Sequence, residues 1–174
     1  MATWQISVWG AIPHVMAFLG SVLCAGVAAR FGYARTLLGA FALIAVGNAG
    51  LMAAHSTLPL FVVAYGVVGI GMGLALGGLP SVVVEGTAPD RTASAAAVYN
   101  NLKTLGGSVA GAVFAAVLGT LVVGTTDTPA LSAYLTVWGL GLGVSVLAAG
   151  GQLLARLGAG RRAGTLAKAG TAIN

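Results

Sequence analysis

The chain reads LPLFVVAYGVVGIGMGLALGGLPSVVV over residues 58–84, and none of these side chains is charged. A helix of this length is long enough to cross the roughly 30 Å hydrocarbon core of a bilayer, at about 1.5 Å per residue. Four other apolar runs flank this segment. Together the runs predict five transmembrane spans, at 8–29, 36–54, 58–84, 92–124 and 131–155.

The composition supports the same interpretation. Of the 174 residues, 58% are hydrophobic and 6% are charged, against roughly a quarter charged in an ordinary soluble domain. Polar side chains are too few to cover a soluble globule, and apolar side chains are too many for a disordered chain. The single cysteine, Cys24, excludes an internal disulfide. The predicted fold class is therefore all-α, a polytopic bundle of five transmembrane helices.

The basic residues predict the orientation of the bundle. All eight Lys and Arg residues follow the first, third or fifth span, or lie near the start of the fourth. Five predicted spans therefore place all eight on one side of the membrane. Basic residues mark the cytoplasmic side. We therefore predict a multi-pass protein of the cell membrane with its N-terminus outside and its C-terminus in the cytoplasm. Residues 1–156 form the bundle in this prediction, and 157–174 form a disordered basic tail. The charges form no basic stripe with interleaved aromatic residues, so nucleic acid is not an expected partner.

Glycine spacing in two of the spans predicts close helix packing. Small residues allow helix backbones to approach each other in lipid, where no hydrophobic effect drives helices together. The glycines at four-residue intervals are Gly69, Gly73 and Gly77 in the third span and Gly107 and Gly111 in the fourth. General packing of a bundle is the simplest interpretation. The sharper one is a helix that bends or slides during a transport cycle.

The sequence offers few residues for chemistry. Ser108 and His55 could act only as a nucleophile and base, and the predicted spans place them a bilayer apart. Two histidines without an acidic cluster do not suit a metal site. We therefore expect no enzyme, no catalytic residue, no metal and no cofactor. No charged residue is expected in the core of a span, and the candidates for lining a cavity are His14, Tyr65 and Phe114.

Charged residues gather where the predicted spans reach the cytoplasm. The two loops concerned contribute Arg30, Gly32 and Arg35 from the first, and Glu85, Asp90 and Arg91 from the second. Ion pairs between these loops would latch two helices together in one conformational state and release them in another. Alternatively, the charges set the topology and pair with lipid headgroups.

Residues 28–35, AARFGYAR, resemble the loop motif Leu-Ala-Asp-Arg-x-Gly-Arg-Arg of the major facilitator superfamily, in the degenerate copy that its second half carries. Arg30, Gly32 and Arg35 match the motif, whereas Ala29 stands at the position of its acidic residue. The chain is similar in particular to the drug:proton antiporter branch.

A second part of the chain is similar to the same antiporters. A glycine-rich helix (69–80), a short charged loop (89–91) and a helix with Asn-x-x-x-x-x-Gly-Gly (93–119) follow each other in the same order. The resemblance extends from about Trp9 to Ala155 and implies helices two to six of the second six-helix half. In that superfamily, two halves alternate access to a central cavity.

The resemblance implies proton-coupled efflux of amphipathic or drug-like compounds by a truncated or split transporter. It implies that this C-terminal five-helix portion acts in the lipid bilayer on a small-molecule substrate. It would also need the missing N-terminal half, a partner chain or self-association, such as a homodimer. The alternative is a small non-transport membrane protein that serves as a helix-packing assembly or stabilising subunit.

Overall fold

The computed structural model describes the backbone of residues 3–124 and 128–171 and the side chains of 9–124 and 128–154. Its helices are α1 (Thr3–Phe31), α2 (Tyr33–Ala53), α3 (Leu58–Glu85), α4 (Thr92–Thr120) and α5 (Leu131–Thr171). A short 3-10 turn, Pro89–Arg91, precedes α4. All five helices are long and apolar enough to cross a membrane. The prediction of an all-α bundle with five spans is confirmed.

The helix ends differ in places from the predicted spans. The fourth helix ends at Thr120 rather than 124, because the chain turns there and Gly124 takes a positive φ of 57°. The fifth continues to Thr171, so the backbone of 157–171 is helical where the sequence predicted a disordered tail. The side chains of the tail residues Arg156, Arg161, Arg162 and Lys168 lie outside the described residues, as do those of Trp4 and Asp127.

The break between α1 and α2 depends on one glycine. Gly32 has a φ of 80°, a backbone conformation that side chains disfavour, and its amide donates a hydrogen bond of 2.7 Å to the Ala28 carbonyl. The Thr36 amide in turn donates to the Gly32 carbonyl. The reversal therefore takes a single residue, and α2 returns antiparallel to α1.

One face of α3 packs against α1 through the predicted glycine stripe. A Cβ atom at Gly69 would collide with the Pro13 carbonyl, and one at Gly73 would collide with the Ala17 carbonyl. At Gly77 it would lie 2.9 Å from the Cβ of Cys24. Contact positions rise together along both helices, so α1 and α3 are parallel. Their backbones touch because these positions carry no side chain.

The opposite face of α3 packs against α2. A Cβ atom at Gly71 would lie 2.8 Å from the Ala40 carbonyl, and one at Gly78 would lie 3.1 Å from the Leu37 side chain. On α2, Gly47 meets the Val68 backbone in the same way. These contact positions run in opposite directions, so the two helices are antiparallel. The third helix is therefore held on both sides by close backbone contacts.

The fifth helix packs against α2. Asn48 is 8% exposed and lies against Gly141, where an added Cβ would come within 2.8 Å of the Asn48 Oδ1. Farther along, Trp138 of α5 packs against Phe61 of α3, with 5.8 Å between the ring centroids. Tyr134 lies next to Trp138 at 6.1 Å. Aromatic contacts thus connect α5 to the end of α3 opposite Glu85.

The fourth helix is the least attached of the five. None of its residues is buried, and a Cβ atom at Gly107 or Gly111 would meet no atom within 4 Å. Within the described chain, these two glycines therefore pack against no other helix, unlike Gly69, Gly73 and Gly77. The glycine spacing of α4 resembles that of α3, but here it faces open space.

The two glycine stripes should respond differently to the same substitution. G73A places a methyl group against the Ala17 carbonyl of α1, so α1 and α3 must separate, and we expect a loss of about 1–3 kcal/mol in the free energy of unfolding. G107A adds the same methyl group in open space and should leave that free energy unchanged or raise it by up to about 1 kcal/mol, because alanine suits a helix interior better than glycine does. Unfolding in mixed detergent micelles, followed by circular dichroism, measures both. Equal losses would contradict the described α1–α3 contact.

Candidate functional site

The charged residues meet at one end of the bundle, where α1 and α3 end and α2 and α4 begin. We call this the charged end. Its residues are Arg30, Gly32, Arg35, Glu85, Asp90 and Arg91. Short connections of one residue between α1 and α2, and of a few residues between α3 and α4, bring them to this end. The structure therefore places the two predicted motif loops at the same level of the bundle.

No ion pair joins the two loops among the side chains that the structure describes. The ion pair present is local: Arg91 Nε lies 3.7 Å from Asp90 Oδ2, and both side chains are at least 75% exposed. The Arg30 guanidinium lies over the Phe31 ring at 5.9 Å. Exposed pairs of this kind contribute about 0–1 kcal/mol. The structure thus places the predicted latch residues at one end of the bundle, with no ion pair between the two loops among the described side chains.

Two apolar grooves of about 490 Å³ open near the charged end. The first lies between α1 and α2, with Val27, Phe31 and Leu43 in its wall and Arg35 at its rim. Its other polar side chain, Thr36, donates a hydrogen bond of 3.0 Å to the Gly32 carbonyl. This groove can accept an apolar body beside a cation, and it offers few free hydrogen-bonding groups.

The second groove lies between the end of α3 and the start of α4. Val83, Val98 and Leu102 are among its apolar lining residues, and its polar groups come from Thr87, Arg91, Ser94 and Tyr99. It is open to the surroundings along α4. Like the first groove, it combines aliphatic side chains with one guanidinium group.

The residues predicted to line a cavity line neither of these grooves. His14 is exposed, and its Nδ1 lies 3.0 Å from the Gly10 carbonyl in its own helix. Tyr65 packs against Phe61, with 5.6 Å between the ring centroids, beside the buried core of α2 and α3. Phe114 is partly exposed on α4. In this conformation the three side chains are not brought together.

The buried polar side chains of the spans are already engaged. Asn48 donates from Nδ2 to the Ile44 carbonyl, and Ser145 donates to the Gly141 carbonyl, at 2.9 and 2.7 Å. Each bond lies within its own helix, α2 for Asn48 and α5 for Ser145. The Cys24 thiol does bridge helices, because it donates to the Leu74 carbonyl at 3.4 Å. In the described part of the chain, no three His, Cys, Asp or Glu residues could together hold a metal ion.

One charged residue, Lys103, lies well inside a helix that is long enough to span a membrane, where no charge was expected. Lys103 lies eleven residues beyond Thr92 in the continuous helix α4, about 16 Å along its axis. Its ammonium group lies 5.8 Å from the centroid of the Tyr99 ring and the side chain is exposed.

Fold and site together define a polytopic membrane protein, with glycine-packed spans and charges collected at one end. The chain belongs to the family described as sugar (and other) transporters, whose profile matches residues 2–158, and thus to the major facilitator superfamily. The match supports the superfamily that the motifs resemble without reaching its drug-efflux branch. No curated protein matches the chain, and no solved structure does.

Orientation can be tested with cysteines in two connections. Cys24 is 2% exposed, so the background from this native thiol should be low. Ser56 and Ala88 are exposed in the α2–α3 and α3–α4 connections, respectively. With the basic residues in the cytoplasm, a membrane-impermeant maleimide should label S56C in intact cells and A88C only after permeabilisation. The reverse pattern would overturn the predicted orientation.

The latch predicts a second conformation in which the two loops approach each other. Spin labels on A34C and A88C, both exposed at the charged end, report the distance between the loops. If Arg30 or Arg35 pairs with Asp90 in that state, the distances should include a shorter population that D90A removes and D90E retains. The same distribution in all three backgrounds would show that these charges do not latch the helices.

Proposed function

We propose that this chain forms part of a transporter that exports small amphipathic molecules in exchange for protons. Membership of the sugar (and other) transporter family supports membrane transport of small molecules. The efflux direction, the proton coupling and the class of substrate go beyond that membership. They rest on the motifs that resemble the antiporter branch and on the chemistry of the grooves.

The observation that carries the substrate class is the apolar groove between α1 and α2. Sugar hydroxyl groups need several hydrogen-bond partners, and a buried polar group without a partner costs about 1–3 kcal/mol. In this groove Thr36 already donates to its own helix, which leaves Arg35 among aliphatic and aromatic side chains. An amphipathic molecule with an apolar body fits such a wall better than a sugar does.

The proton could be exchanged at one of two places. Glu85 and Asp90 are exposed carboxyl groups at the charged end, and His14 is an exposed imidazole in α1. Proton relays in membrane proteins use groups of these kinds. We assign proton exchange at the charged end to the two carboxyl groups, because they lie beside the loops that would change position during alternating access.

Transport also requires helices beyond the five described. The unburied α4 has its Gly107 and Gly111 positions open, so a complete pathway needs another surface against this helix. We propose that further transporter helices provide it, from the same polypeptide, from a partner chain or from a second copy. A two-sided cavity would then form between this bundle and those helices.

A second candidate function is favoured by the same open face. A subunit that assembles or stabilises another membrane protein would use Gly107 and Gly111 for docking, because small residues permit close helix contact. Such a subunit would copurify with its partner, and it would not move substrate by itself or in the complex.

Flux measurements separate the two functions. The chain is purified from its native membrane together with whatever it holds, and is reconstituted in vesicles with an imposed proton gradient. We expect uptake of an amphipathic fluorescent dye that stops when a protonophore collapses the gradient, and no uptake of labelled glucose. D90N should reduce dye uptake, whereas N101A, a polar change on α4 away from the charged end, should not. Glucose uptake would overturn the substrate class, and no uptake of either compound would favour the assembly subunit.

A further inference from the structure

We propose that Lys103 binds the carboxylate group of an amphipathic anion, on the α4 face that also carries Asn100 and Gly107. This proposal rests on the proposed transport function, because it names the chemical class of a molecule that the transporter binds. The argument depends on the depth of Lys103 in the bundle, on the lack of a neighbouring acid and on the open space beside it.

The charged end provides a reference for depth. Arg30, Glu85 and Arg91 lie where α1 and α3 end and α4 is about to begin. From Arg91, the twelve residues to Lys103 extend roughly 18 Å along the helix axis. Another 25 Å or so separate Lys103 from Thr120, where α4 ends. A hydrocarbon core of about 30 Å centred on this helix therefore contains Lys103.

A cation at this depth needs a partner. Ionisable residues inside membrane spans are costly, and they commonly mark substrate or ion pathways. Lysine can extend its ammonium group toward the membrane surface, and here that group lies over the ring of Tyr99, one helical turn nearer the charged end, 5.8 Å from its centroid. The ring contact alone compensates the charge only in part.

No acid among the described residues lies at the same depth. Glu85 closes α3, and Asp90 precedes α4 and pairs with its neighbour Arg91. Asp90 is thirteen residues from Lys103, about 20 Å along the helix. The described part of this chain therefore offers no carboxylate at this depth, and in the proposal a bound anion supplies the negative charge.

A second copy of the chain does not suit this face. Two α4 helices related by a two-fold axis parallel to them would bring two Lys103 side chains to the same level. Like charges repel strongly in a medium of low dielectric constant. An anion satisfies the charge, and Asn100, one helical turn away on the same face, can donate a hydrogen bond to the same carboxylate.

The space beside Lys103 suits an apolar body. A Cβ atom at Gly106 or Gly107 would meet nothing within 4 Å, and Asn100 to Val113 are all exposed. A ring or short alkyl chain can therefore lie along the glycine surface while its carboxylate reaches the ammonium group. The site selects amphipathic anions over their neutral analogues by this charge.

Benzoate and benzamide test the proposal, because they share a ring and differ in carrying a carboxylate or a neutral amide. The full chain, purified with whatever it holds, is reconstituted in uncharged phosphatidylcholine vesicles, and binding is measured by equilibrium dialysis with labelled probes. K103Q should weaken benzoate binding at least about tenfold, as expected for the loss of a charged hydrogen-bond partner. K103R should retain it, and benzamide binding should be the same in all variants. N101A, which changes the next position around the helix, is the matched control.

Other outcomes would overturn the proposal without deciding the proposed function. Equal benzoate binding by the original chain and K103Q would exclude this site, even if the dye flux described above were observed. A carbodiimide cross-link from Lys103 to a copurifying chain, unaffected by saturating benzoate, would show that a protein carboxylate fills the position instead. Conversely, Lys103-dependent benzoate binding without flux in any preparation would support the anion site and contradict the transport function.

Discussion

Close backbone contact on both sides of α3 is the constraint on which the rest of the bundle depends. Lipid tails are as apolar as the helix surfaces, so helices associate only where packing is better than packing with lipid. The glycines Gly69 and Gly73 provide this on the α1 side, and Gly71 and Gly78 provide it on the α2 side. A side chain at Gly69, Gly71 or Gly73 would collide with a backbone carbonyl of the neighbouring helix, and one at Gly78 would press against the Leu37 side chain. Three helices are thereby fixed in relative position.

The charged end gains its arrangement from that packing. Because α1 and α3 are parallel and in contact, they end at the same level and bring Arg30 and Glu85 to one surface. The motif loops need no ion pair to hold them there, and the described side chains show none between the loops. Their charges are therefore free to respond to a change in conformation. Helix packing therefore sets the positions of these residues, and their charges do not determine them.

Much of the fold could be predicted from residue type and spacing. Five apolar runs predicted the five helices, and the spacing of Gly69, Gly73 and Gly77 predicted close packing of the third, although not that α1 is its partner. The α2 contact was harder to predict from the sequence. Val68 and Gly71 belong to a segment that is apolar on every side, so its pattern does not indicate which face packs against a neighbour. Asn48 bonded within its own helix because the Ile44 carbonyl was in reach. Ion pairs across loops depend on distances that a sequence does not contain, and the depth of Lys103 follows only from where α4 begins.

The anion site proposed above lies on α4, the helix without buried residues. The buried polar side chains Asn48 and Ser145 use their hydrogen-bonding capacity within their helices, and they lie in the packed part of the bundle. Asn100 and Lys103 are exposed on a helix without buried residues. Segments with few buried contacts open and move at lower free-energy cost than packed ones. In the proposed transporter, a ligand held on α4 would change its surroundings when this helix moves relative to the close-packed α1, α2 and α3.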